Sequence, residues 1–356
     1  MNSRNRLAQR RRYDAVRFSE LKNKNLIMNN ERVLKMKKTF RRYVSLLLSI
    51  AVCITFLLGA ISSSAITENK TKANDANDEL SLSLVEKNYV TGAVSTLAFS
   101  KEDADEFLET FKFQPAIVGS ASRLGNKEIN TREIIGTDDR VRVNPTTVYP
   151  YSAIAFIRVL WPDFSTTLGT AWMVSNKIAI TAAHCIYNSA FGGSPINIEI
   201  VPAKNGPFLW NNPYGQTLSC TSSAVSSEYA FNTDSEYDWG IINIGTNYGS
   251  QTGTIGYGYY SDNELLNQPV TISGYPGDSD KVYYQYKSTG YISSLYNGHL
   301  YYTNDTTGGQ SGSPILSSSN IAYGLHTNGG SVYNYGVRFT AYTCYCISQY
   351  INLYSQ

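Results

Sequence analysis

Gly308-Gly309-Gln310-Ser311-Gly312-Ser313-Pro314 is a glycine-rich turn that carries two serines. Alone it is a weak signal, and two earlier segments give it meaning. Thr181-Ala182-Ala183-His184-Cys185 follows the largely apolar run Met173–Ile180 and sets an imidazole among small residues at a strand end. Tyr237-Asp238-Trp239-Gly240-Ile241-Ile242 places a carboxylate at the entrance to an apolar strand. A serine hydroxyl is a poor nucleophile until a neutral imidazole removes its proton. The imidazole in turn needs a buried carboxylate to fix its tautomer and stabilise its charged form. Glycines ahead of the serine let the N–H groups of Gly309 and Ser311 converge on a developing oxyanion. His184, Asp238 and Ser311 are therefore the candidate catalytic residues, with Gly309 and Ser311 as candidate oxyanion donors.

The order His, Asp, Ser along the chain is that of chymotrypsin. An α/β-hydrolase would run Ser, Asp, His and needs G-x-S-x-G, which Ser313 in the last position breaks. The surrounding texture agrees. From Ile134 onward Tyr, Gly, Ser, Thr and Asn dominate, and short β-branched or aromatic runs alternate with turn signals such as Gly192-Gly193, Asn297-Gly298 and Pro276-Gly277. Ser152–Leu160, Thr170–Ala179, Ile196–Val201, Trp239–Ile244, Val270–Ser273 and Asn320–Leu325 read as strands. Many short strands at this spacing predict an all-β protein built as a sandwich or barrel pair. Only the tail, from about Tyr342, has the pattern of a closing helix.

Charge divides the chain before Ile134. Residues 1–132 hold 22 Lys+Arg against 14 Asp+Glu, and the remainder holds 8 against 14. The basic excess precedes the apolar run Val44–Ile61, which ends near Ser63-Ser64-Ala65. A basic leader, an apolar stretch and small residues together read as a secretory signal peptide cleaved after Ala65. Left uncut, the run is just long enough to span a bilayer. Residues 1–65 are thus a targeting region with its apolar core at 44–61, and the charged, aromatic-poor stretch 66–132 reads as a linker or propeptide. Residues 133–245 and 246–356 are predicted to form the N-terminal and C-terminal β-barrels. The exported part keeps Cys185, Cys220, Cys344 and Cys346 without metal-ligand spacing.

From Ile134 to the C-terminus the sequence resembles the glutamyl endopeptidases of Bacillus type. The resemblance is carried by Ile135-Gly136-Thr137-Asp138-Asp139-Arg140, the TAAHC segment, Tyr237-Asp238, Ser273-Gly274-Tyr275-Pro276-Gly277-Asp278, Gly308 to Pro314, and His326-Thr327-Asn328-Gly329. It implies the chymotrypsin fold of two antiparallel six-stranded barrels with a short C-terminal helix. It also implies a secreted serine endopeptidase that is made as a zymogen and cleaves after Glu. Thr306 and His326 match the hydroxyl and imidazole that receive the substrate carboxylate. The third donor implied is the α-amino group of Glu133, freed by a cut after Arg132. The family's cysteine upstream of the histidine is missing from Leu168-Gly169-Thr170-Ala171-Trp172. That leaves Cys220 as the candidate partner for Cys185.

Asp305 pulls the other way. It lies six residues before Ser311, where trypsin-like enzymes keep the acid that binds Lys or Arg, although Bacillus-type members also carry an Asp there. A trypsin-like or broad-specificity protease is accordingly the rival reading, and an inactive exported binding protein is the rival from another class. His299 reads as structural or exposed. Asp138, Asp139 and Asp278 are solvated turn acids or, less simply, calcium ligands. The expected partners are protein or peptide substrates, with no nucleic acid, no cofactor or metal, no stable membrane association after processing, and a monomeric state.

Overall fold

The computed structural model describes residues 82–110, 134–215 and 217–354. The targeting region 1–65 and Glu133 lie outside the described residues, as does most of the stretch 66–132. The fold is of the chymotrypsin type, mostly β with a C-terminal helix at Ala341–Tyr354.

Two sheets make up the body. In the first, β4 (Ile154–Leu160), β5 (Thr166–Met173), β6 (Ile178–Thr181), β7 (Asn197–Pro202), β8 (Leu218–Ser219), β9 (Ser222–Ser226) and β10 (Gly240–Asn243) pair in the order β9-β10-β6-β5-β4-β7-β8. Ile154, Ile157, Trp172, Ile180, Ile200 and Ile241 fill its core with no measurable exposure. Such runs of β-branched and aromatic residues suit a pleated surface buried on one or both faces. The second sheet contains β11 (Gly256–Tyr257), β12 (Pro269–Gly274), β13 (Tyr286–Tyr296), β14 (His299–Tyr302), β15 (Pro314–Leu316), β16 (Ile321–Asn328) and β17 (Asn334–Arg338). Pairing of β16 with β17 closes β12–β17 into a six-stranded barrel, with β11 outside the ring.

Three details differ from the sequence reading. The run Thr170–Ala179 is two strands rather than one. Ser175 Oγ accepts the N–H of Ile178 at 3.2 Å, which turns the chain between β5 and β6. Second, β3 (Val141–Arg142) pairs with β13, so the start of the body joins the second sheet before the chain enters the first.

The third difference is larger. The first sheet continues past β9 into β1 (Ser83–Asn88) and β2 (Val94–Ala98), which makes nine strands. These strands fall in the stretch read as a solvated linker or propeptide, whereas the helix at Lys101–Thr110 lies in its acidic, helix-prone part Lys101 to Lys112. Alternation explains β1. Leu82 and Leu84 are buried at 3% and 0% exposure, while Lys87 stays half-exposed and donates to Gly92 O. Period two with one face buried is the signature of a strand laid on a core.

Candidate active site

His184 sits in the single helical turn Ala183–Ile186 that follows β6, and Asp238 lies two residues ahead of β10, the neighbour of β6. Strand pairing therefore brings the two together. Asp238 Oδ2 lies 2.7 Å from His184 Nδ1, and Asp238 Oδ1 accepts the backbone N–H of the same histidine at 2.9 Å. The carboxylate is 3% exposed, so both of its oxygens are held by one residue in a desolvated setting. Burial opposes a charged imidazole, but the Asp238 charge, together with Cys185 and the hydrogen bonds to both, outweighs it and holds His184 well above the ordinary histidine range.

Ser311 comes from the loop between β14 and β15 in the second sheet, and Thr170 of β5 anchors it. Thr170 N–H donates to Ser311 O at 2.9 Å, and Thr170 Oγ1 donates to Gly309 O at 2.9 Å. The same hydroxyl accepts Tyr275 N–H at 2.9 Å, and Thr181 Oγ1 donates to Thr170 O at 2.7 Å. This fully buried threonine stitches the serine loop to the histidine strand. Ser311 O also accepts from Cys185 Sγ at 3.7 Å, directly beside His184. Ser311 Oγ donates to Thr327 O at 3.3 Å and makes no hydrogen bond to His184. Long or absent nucleophile contacts are common in unliganded sites of this chemistry.

Gly309 has φ +94°, and a Cβ there would stand 2.7 Å from Tyr275 O, so no side chain fits. Among the described residues neither Gly309 N–H nor Ser311 N–H has an acceptor. Two uncommitted donors beside a serine hydroxyl suit an anion that forms transiently.

Thr306 and His326 are both buried, at 1% and 3% exposure. Tyr302 OH lies 2.6 Å from His326 Nδ1. Burial, reinforced by the charge of His184, pushes the His326 imidazole down to about 3, so it is neutral in ordinary buffers. Burial drives the Tyr302 phenol in the opposite direction, and it keeps its proton. A neutral His326 carries one ring N–H and one ring acceptor, and which of them meets Tyr302 OH follows from the tautomer.

Asp305 is 1% exposed, and its carboxylate is committed to the main chain. Oδ1 accepts Ile135 N–H at 2.6 Å and Oδ2 accepts Asp139 N–H at 2.9 Å. Next to this anchor is a residue that the sequence reading passed over. Arg140, with 1% of its side chain exposed, bridges Asp138 and Asp278 at 2.9 Å each and donates to Thr307 Oγ1 at 2.7 Å. The three acids read as turn residues or calcium ligands thus divide differently. Asp138 and Asp278 face a guanidinium, while Asp139 accepts from Ser288 Oγ at 2.8 Å. His299 is buried, and its Nε2 lies 3.0 Å from Ser235 O, in keeping with a structural role.

The predicted Cys185–Cys220 bridge is absent. Cys185, Cys220, Cys344 and Cys346 are all buried and in no disulfide. Cys185 Sγ is turned toward Ser311 O, whereas Cys220 Sγ donates to Ser222 O at 2.7 Å beside β9. The two side chains thus serve different loops.

Comparison with known proteins agrees with the fold. The trypsin-like peptidase domain matches residues 169–325. Glutamyl endopeptidase of Bacillus licheniformis is 38% identical over 223 residues, covering 59% of this chain and 66% of that protein, just short of two thirds of its length. A Bacillus subtilis protein named extracellular metalloprotease is 33% identical over 240 residues, covering 65% of this chain and 74% of its own. A solved Glu endopeptidase structure superposes with a TM-score of 0.55 at 28% identity, covering 63% of this chain and 100% of its own. By sequence the chain is similar to the glutamyl endopeptidases, and the trypsin-like peptidase domain and the superposed structure agree with its chymotrypsin-type fold.

Proposed function

We propose that this protein is a secreted serine endopeptidase, made as a zymogen, that hydrolyses peptide bonds after glutamate and less readily after aspartate. Ser311 Oγ attacks the scissile carbonyl while His184 takes its proton. Asp238 holds the imidazole in the required tautomer, and the N–H groups of Gly309 and Ser311 receive the oxyanion. Collapse of the tetrahedral adduct expels the amine with the proton from His184 and leaves an acyl-enzyme on Ser311. Water, deprotonated by His184, then releases the acid. The observation that supports this reading most is the double engagement of His184 by Asp238, at 2.7 and 2.9 Å, beside a serine loop with two uncommitted N–H donors.

The preference for glutamate rests on what is free to meet a carboxylate. Burying a carboxylate without donors is costly, so the pocket must supply them. Thr306 offers a hydroxyl and His326 a ring N–H. The α-amino group of Glu133, freed by a cut after Arg132, supplies positive charge. Asp305 argues for the rival basic specificity only if its carboxylate reaches the substrate, and two backbone N–H groups already occupy it.

Matched fluorogenic peptides with Glu, Asp, Arg or Phe before the scissile bond test the reading, with Ser311→Ala as control. Preference for Glu supports triad and pocket together. Preference for Arg keeps the triad and hands the pocket to Asp305. Absence of any Ser311-dependent cleavage overturns the enzyme.

A further inference from the structure

Residues 82–110 make a different kind of contact from a spent leader. Strand β1 runs antiparallel to β9 over five residue pairs, from Leu84 opposite Ser226 to Asn88 opposite Ser222. Two side-chain hydrogen bonds extend the ladder, Ser83 Oγ to Ser227 Oγ at 2.7 Å and Tyr89 OH with Ser223 Oγ at 2.8 Å. Leu84 is fully buried against the body.

The C-terminal helix supplies the other half of the seat. Glu86 is 6% exposed, and one of its oxygens accepts from Tyr350 OH at 2.8 Å and from Tyr354 OH at 2.5 Å. A carboxylate is buried at this depth only where donors await it. Phe99 and Phe107 both pack on Tyr345, with ring centroids 6.1 and 5.4 Å apart. The segment's ladder pairs, side-chain hydrogen bonds to the body and ring contacts fall on β9, the turn after it and the C-terminal helix. Among the described residues, none of these contacts reaches His184, Ser311, Thr306 or His326.

We propose that the edge of β9 together with the tyrosine face of the C-terminal helix is a strand-docking site, and that residues 82–110 stay seated there after the chain is cut ahead of residue 133. An unpaired sheet edge of this length invites pairing by another strand, and main-chain bonds with one buried acid make the site selective for an extended segment of leucine and glutamate at alternate positions. The seat also touches the catalytic loop from behind. Ser226, paired with Leu84, donates from Oγ to Tyr237 O at 3.1 Å, one residue before Asp238. The docked segment therefore braces the acid's loop while leaving the cleft open.

The test is independent of the enzyme's own activity. The Ser311→Ala full chain, with a viral-protease recognition sequence inserted after Gly125, is cut by the added protease and passed through native size exclusion and native mass spectrometry. The fragment containing residues 82–110 is expected to co-elute with the body and to resist digestion there. Leu84→Asp, which places an unpaired charge in the apolar seat, is expected to weaken retention about a hundredfold. A wild-type fragment that leaves the body, or that is digested as fast as a free peptide, overturns the proposal. Equal retention of the Leu84→Asp fragment overturns the assigned seat.

Discussion

Two buried aspartates, Asp238 and Asp305, begin with the same chemistry and end with different work. Each is at most 3% exposed, and each accepts hydrogen bonds on both oxygens. Asp305 spends both on backbone N–H groups of the segment Ile135–Asp139. Asp238 spends one on a backbone N–H and the other on an imidazole. A carboxylate bound wholly by main chain fixes a loop. One that shares itself with a titratable ring also sets the proton affinity of that ring. The difference lies in the partner, which neither aspartate's local sequence reveals.

Breaking the catalytic side of the comparison gives the largest effect. Asp238→Asn is expected to lower turnover by about 10⁴, because the amide no longer enforces the productive tautomer. Steady-state kinetics check this, and near-normal turnover removes Asp238 from its role. Next in size is the scaffold. Arg140→Met leaves Asp138 and Asp278 facing each other without their guanidinium and is expected to cost about 3 kcal/mol of stability, read from urea unfolding. Asp305→Asn keeps one acceptor oxygen for two donors. It is expected to cost about 2 kcal/mol in the same assay.

Two pH effects sharpen the contrast. His184 is raised by Asp238, so the proposed base is neutral only at higher pH. The acid limb of kcat/KM should therefore have its midpoint above 6.5, rising with pH. A midpoint at or below 6.5 contradicts the Asp238 coupling. The smallest effect belongs to Asp138, whose hydrogen bond to Arg140 lowers its carboxyl to about 2 from 3.8. A depressed acid contributes stability above its unfolded value and loses it as pH falls through the folded one. The unfolding difference between wild type and Asp138→Asn should thus be present above pH 3.8 and vanish toward pH 2.

What the sequence could reveal follows the same division. His184, Asp238 and Ser311 are legible through their combination and order along the chain, since each segment alone is a weak signal. The all-β architecture and the closing helix are legible from local pattern. Arg140, Thr170 and Tyr302 are invisible locally because their partners lie far along the chain, Thr170 meeting Ser311 and Arg140 meeting Asp278 only once the sheets form. Asp305 leaves two readings open in the sequence, because a position ahead of the serine says nothing about which donors reach it. Strand β1 was legible in principle from the alternation Leu82, Leu84, Glu86. The charged residues around it read as solvent-facing, and the tyrosines that receive Glu86 lie more than 260 positions away. The cysteines show the limit of the resemblance, since the candidate pairing of Cys185 with Cys220 that it left is not made in the fold.

The most direct test is the rate at which a small fluorophosphonate labels Ser311, per folded molecule, in wild type, Asp238→Asn and Asp305→Asn. Such a probe needs the activated serine and no side-chain pocket. Rapid labelling of wild type and Asp305→Asn, with Asp238→Asn slowed by about 10⁴, is the predicted result. Labelling of Asp238→Asn at the wild-type rate, or its loss in folded Asp305→Asn, would contradict the division of labour between the two aspartates.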